Sequence, residues 1–103
     1  MFVDACAFDD LPGKGLKCLV VNDVPLVLVR KGDEVHVVAN RCSHARATFE
    51  GGRVRGNNLM CPLHGATFDI RSGEPTGLPA RRPIRVYTAR IEDGRVQVDL
   101  SEP

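Results

Sequence analysis

The chain has 103 residues, of which 43% are hydrophobic and 26% charged, with a formal net charge of +1 and a pI near 7.7. That length suits one domain with a modest core and leaves no room for a separate substrate domain. The near-neutral charge argues against a nucleic-acid binder, and the longest apolar run, residues 24–29, stops at Arg30-Lys31, too short to cross a bilayer.

Residues 2–8 and 16–21 alternate in part and read as strands. Residues 26–29 and 35–39 are β-branched runs on either side of Lys31-Gly32-Asp33-Glu34, which predicts a hairpin. Residues 66–70 form a short strand that ends at Arg71-Ser72-Gly73. Residues 84–91 and 95–100 flank Asp93-Gly94, a dipeptide suited to a two-residue hairpin turn. No window keeps a helical period, and only a single helical turn near Leu11 or Thr48 is expected. Several short strands separated by Gly and Pro imply an all-β sandwich or barrel-like fold.

Two stretches break this scheme. Residues 41–65 are rich in Gly, Cys, His, Arg and Asn, and residues 72–83 contain Pro75, Pro79 and Pro83. Irregular segments of this length inside a small domain call for a ligand or a function to order them.

The first stretch holds Cys42-Ser43-His44 and Cys61-Pro62-Leu63-His64, separated by the sixteen residues 45–60. Each pair sets a thiol and an imidazole on one short loop. The spacer is long enough for a hairpin, so two loop tips can converge on one small object. Two thiolates and two imidazoles suit tetrahedral zinc, or an iron–sulfur centre in which two histidines replace two cysteines on one iron. Zinc sites more often pair C-x-x-C with H-x-x-x-H than alternate Cys and His within each pair. Four cysteines could form two disulfides, but a cysteine beside a histidine in a reducing compartment reads as a metal ligand. The opening Met1-Phe2-Val3-Asp4 lacks the parts of a secretory signal, so a cytoplasmic protein is expected.

With C-x-H, a spacer of this length and C-x-x-H-G, the chain resembles the Rieske [2Fe–2S] family. The likeness continues through Ala66-Thr67-Phe68-Asp69, then Arg71-Ser72-Gly73-Glu74-Pro75 and Gly77-Leu78-Pro79. Length and the Asp9-Asp10-Leu11-Pro12-Gly13 segment are similar to the stand-alone ferredoxins of bacterial aromatic-ring dioxygenase systems. The resemblance implies one domain over 1–103: an antiparallel β-sandwich base with a smaller cap, about 41–83, whose two loops bind the cluster. It places Cys42 and Cys61 on one iron, and His44 and His64 on the other. It further implies a monomeric electron carrier between a flavin- or iron–sulfur-containing reductase and a terminal oxygenase. The other readings are the small subunit of an assimilatory nitrite reductase and, from a different class, a zinc-stabilised interaction module. An oxygenase in its own right would need a second iron site, and His36 alone remains to build one.

The donor set has an electrostatic consequence. A [2Fe–2S]²⁺ core with two thiolates and two neutral imidazoles is uncharged, so it accepts an electron more readily than a core with four thiolates. The expected site of reduction is the histidine-bound iron, and titration of the outer imidazole nitrogens should lower the potential at high pH. High-potential members of the family carry a disulfide between the two loops and a serine and a tyrosine hydroxyl beside the cluster. The matching places here are Ala47, Leu63, Ala66 and Phe68. A potential at the low end of the Rieske range of about −150 to +300 mV is therefore expected. Arg46 stands where the family usually has glycine, placing a permanent charge on the first loop.

Charge is uneven along the chain. Residues 41–90 hold nine arginines against Glu50, Asp69 and Glu74, a local balance of +6. This basic middle predicts a docking face for acidic partner surfaces, with salt-sensitive association. Leu63 is expected to be an exposed apolar contact beside the cluster. Cys6 and Cys18 are expected to be reduced core thiols, His36 an outward-facing strand residue, and Phe49, Phe68 and Tyr87 packing under the loops.

Overall fold

The run Leu26-Val27-Leu28-Val29 has no polar face, because the strand that carries it is covered on both sides. The computed structural model describes residues 1–13, 15–41, 48–62, 65–78 and 82–101. In it, β3 (Val24–Lys31) lies inside an antiparallel sheet ordered β2 (Leu16–Val21), β3, β4 (Glu34–Ala39), β9 (Val86–Tyr87). Leu26 and Leu28 point to one face and Val27 and Val29 to the other, as strand alternation requires, and all four are fully buried.

The first face packs on a three-stranded sheet of β1 (Phe2–Ala7), β11 (Arg95–Asp99) and β10 (Ala89–Glu92), in that order. Cys6, Leu11, Val37, Tyr87, Val96 and Val98 fill this layer with Leu26 and Leu28. The second face packs on a small sheet ordered β5 (Arg53–Arg55), β6 (Asn58–Met60), β7 (Thr67–Asp69), β8 (Pro75–Gly77). Phe49, Leu59, Cys61, Ala66, Phe68 and Ile70 meet Val27, Val29 and Val38 there. The molecule is thus three antiparallel layers with the central sheet shared by two cores.

Turn chemistry sets the register of the longer hairpins. Lys31 pairs with Glu34 across Gly32-Asp33, and Glu92 with Arg95 across Asp93-Gly94, as expected. Asp93 and Gly94 both have positive φ, 52° and 75°, the primed geometry that matches strand twist. The turn Asn22-Asp23, with φ of 49° and 67°, makes the same link between β2 and β3. Asn and Asp tolerate that conformation better than other side chains.

The structure corrects three expectations. The predicted strand over 84–91 is two strands, broken at Thr88 where the chain leaves the central sheet and joins β11. The irregular stretches 41–65 and 72–83 contain β5, β6 and β8, whose three-residue lengths are too short to show a period. The helical turn near Leu11 is a 3₁₀ turn over Phe8–Asp10, and Thr48 is not helical. No described helix is long and apolar enough to cross a membrane.

Candidate metal centre

The second Cys/His segment hangs from the β6–β7 hairpin. Leu59 pairs with Phe68 and Met60 with Thr67, and one step further the Cys61 N–H donates to the Ala66 carbonyl at 2.7 Å. Beyond that bond, Pro62 is exposed and Gly65 has a φ of 71°. Cys61 itself is wholly buried at the root of this segment.

The first segment begins where β4 ends. Asn40 donates its N–H to the Pro25 carbonyl at 3.0 Å, and its side-chain Oδ1 accepts the Phe49 N–H at 2.7 Å. The Phe49 carbonyl then accepts the Gly52 N–H at 2.8 Å, turning the chain into β5. A Cβ on Gly52 would run into the carbonyl oxygens of Met60 and Phe49, so glycine is what lets this turn lie against β6.

The roots of the two loops meet in one apolar cluster. The rings of Phe49 and Phe68 stand edge to face, 5.7 Å between centroids at 87°, and both are wholly buried with Cys61 and Ala66. Beside them, Gly51, Gly52, Arg53, Met60, Cys61, Pro62 and Gly65 line a recess of about 250 Å³. Two segments sixteen residues apart in sequence are therefore anchored side by side, as a shared metal group requires. A buried thiol at one root and a Cys/His pair on each loop fit a group bound through sulfur and nitrogen.

Of the four expected ligands, Cys61 falls among the described residues, while Cys42, His44 and His64 lie outside them, as do Arg46, Ala47 and Leu63. Among the described residues, no group of three or more His, Cys, Asp or Glu is placed to hold a metal ion. Ala66 and Phe68 are buried beside Cys61 and bring no hydroxyl there.

The remaining expectations divide. Phe49 and Phe68 pack under the loops, but Tyr87 is buried in the other layer. Cys6 is a buried free thiol, and burial pushes its pKa up. Cys18 is a half-buried free thiol, raised by burial and then by Glu50, against a hydrogen bond with the Asn40 side chain. His36 is half covered rather than simply outward-facing; it sits opposite Val29 and borders a cleft of about 210 Å³ with Glu34 and Arg90. Asn40 is the residue that sequence reasoning missed. Its signal was a lone amide directly after the apolar run of β4.

Residues 1–88 match the Rieske [2Fe-2S] domain profile. The chain is 40% identical over 81 residues to the anthranilate 1,2-dioxygenase ferredoxin subunit of Burkholderia cepacia, covering 79% of this chain and 75% of that protein. Its fold is similar to the ferredoxin of carbazole 1,9a-dioxygenase from Nocardioides aromaticivorans IC177, with a TM-score of 0.90 and 32% identity over 95% of this chain and 96% of that one. It is also similar to a chain in the complex of reduced oxygenase and oxidized ferredoxin in carbazole 1,9a-dioxygenase, with a TM-score of 0.86 and 28% identity over 94% of this chain and 91% of that one. The hairpin-borne Cys61, the paired loop roots and the match over most of the length give one result: the chain belongs to the Rieske [2Fe–2S] family.

Proposed function

We propose that this protein is the ferredoxin of an aromatic-ring-hydroxylating oxygenase system, with its cluster held by Cys42, His44, Cys61 and His64. The observation that carries the assignment is the anchoring of both Cys/His loops on one buried cluster around Phe49, Cys61 and Phe68. Bound there, a [2Fe–2S] group supplies reversible one-electron chemistry, with two imidazoles raising its potential above that of a four-thiolate centre. The protein's own part is to hold that group at a surface loop and present it to partners. The cluster-binding unit spans about 41–83, and the two larger sheets are its base.

The donor is a flavin- or iron–sulfur-containing reductase and the acceptor a terminal oxygenase, in line with the ferredoxin subunits and the oxygenase complex to which the chain is similar. Catalysis then belongs to the oxygenase, and this chain is a carrier. Exposed Arg53 on β5 lines the recess beside Cys61 and Pro62, and Leu78, which follows the Gly77 paired with Thr67, has 76% of its surface open. They supply cationic and apolar contacts for an acidic partner surface. Reduced thiols at Cys6 and Cys18 agree with a cytoplasmic protein.

Reconstitution tests this reading. Purified protein should be red-brown, contain acid-labile sulfide, and couple a cognate reductase to oxygenase turnover at a rate that falls as salt is raised. Colourless protein holding zinc would overturn the cofactor assignment. Coupling only to a nitrite reductase would overturn the choice of acceptor.

A further inference from the structure

Asn40 is the buried polar side chain among the described residues, 6% exposed. A buried amide is costly unless its hydrogen bonds are made, so its partners show what it is for. Its Oδ1 accepts the N–H of Phe49, nine residues on, at 2.7 Å. Its own N–H is tied to Pro25 at 3.0 Å, and the preceding Ala39 N–H to Arg85 at 2.9 Å, so the backbone at this point is held from two sides. The Asn40 side chain also favours the thiolate of Cys18, from β2, against the opposing effect of burial.

These bonds bracket a loop. Residues 41–48 lie between the two partners in sequence, and β4 does not pair with β5, the strand that follows Phe49. Among the described residues, the link between these two ends is a side chain reaching a backbone N–H rather than a strand ladder. Closing such a loop costs chain entropy that the bond must offset. Phe49, once delivered, packs its ring against Phe68 in the cluster that contains Cys61.

We infer that Asn40 is a positioning residue: its bond to Phe49 clasps together the two ends of the segment that carries Cys42 and His44, beside the cluster that contains Cys61. The link to the ligands rests on the ligand assignment above, whereas the clasp itself does not. The chemistry asked of this position is an acceptor of asparagine's length. Leucine has the volume without the acceptor. Aspartate has the acceptor with an added charge.

The test uses holoprotein with Asn40→Leu and Asn40→Asp. Amide exchange at Phe49 is read by mass spectrometry, and iron release to a chelator is timed well below the unfolding temperature. Asn40→Leu should exchange at Phe49 roughly tenfold faster, the size expected for a lost buried hydrogen bond. It should also release iron several-fold faster, with exchange in β3 and β11 unchanged. Asn40→Asp should stay near wild type in both. Wild-type exchange in Asn40→Leu, or an Asn40→Asp protein as fast as Asn40→Leu, overturns the clasp. If Asn40→Leu does not load, Asn40→Asp decides alone: a protected Phe49 amide and slow iron release support the clasp, and an unprotected amide sinks it. A wrong ligand assignment would show separately, as an intact cluster in Cys42→Ser with the Phe49 result unchanged.

Discussion

In the central sheet, β2, β3 and β4 run six, eight and six residues, whereas each strand of the small sheet has three. The long strands carry their own order: continuous apolar faces, full ladders and two-residue turns that fix register. Strands of three residues cannot do that alone. The small sheet leans on what surrounds it. Leu59, Phe68 and Ile70 bury one face on the central sheet, Lys31 Nζ donates to the Gly56 carbonyl at 2.6 Å, and Gly73 lets its turn lie against Ile84. The lesson is a division of labour: the base folds by area buried, and the cap by a few specific contacts together with the group it holds.

The largest expected effect would come from removing a proposed ligand. Cys42→Ser or His64→Ala should abolish the visible spectrum and the sulfide content, and should speed amide exchange across β5–β8. Exchange in β3 and β11 should hold. Equal loosening of both regions would erase the contrast drawn above.

A core cut in the base should act in the opposite way. Leu28→Ala should lower global stability by about 2–5 kcal/mol, measured by denaturant unfolding, with the spectrum of the folded protein unchanged. Gly73→Ala tests the cap's specific contacts. Its φ is 78°, and an added Cβ would strike the Ile84 carbonyl oxygen, which breaks the approach held by the Ile84 N–H to Gly73 carbonyl bond at 2.9 Å. A loss of about 1–3 kcal/mol is expected, with faster exchange in β7 and β8 before any change in the base.

The missing hydroxyls give a redox prediction. Ala66→Ser should raise the potential from a wild-type value below zero, read by protein-film voltammetry, because a donor near the cluster stabilises added negative charge. A wild-type potential well above zero would refute that argument.

The smallest effect lies at the far end of the cap. The Arg71 side chain beside Asp69 holds the carboxyl at a pKa of about 2, below its ordinary 3.8. A depressed carboxylate contributes stability above its unfolded pKa and loses it as pH falls through the folded one. The pair's contribution should thus be present above about pH 4 and gone below about pH 2, and for an exposed pair it should stay under about 1 kcal/mol. Comparing the acid dependence of the urea midpoint in Arg71→Ala with wild type checks it: the variant should lose less over that window.

Much of this molecule could be read from local pattern. Strands 16–21 and 35–39 and the turns at Gly32-Asp33 and Asp93-Gly94 all followed from neighbours in the chain. The Cys42/His44 and Cys61/His64 pairs stand out in the sequence as candidate ligands, because metal ligation needs donors at short spacing and leaves that spacing in the sequence. The three-residue strands β5, β6 and β8, the break at Thr88 and the buried Asn40 were not legible there, since three residues are too few to show a period and the other two are defined by what they meet once the sheets pack. Thr88 marks where one strand changes sheets, and its carbonyl accepts the N–H of Asp99 at 2.9 Å. Asn40 looks like any polar residue at a strand end until Phe49 is brought to it. Order stabilised by next neighbours is written in period and turn chemistry; order stabilised by burial and long-range hydrogen bonds appears only once the layers have packed.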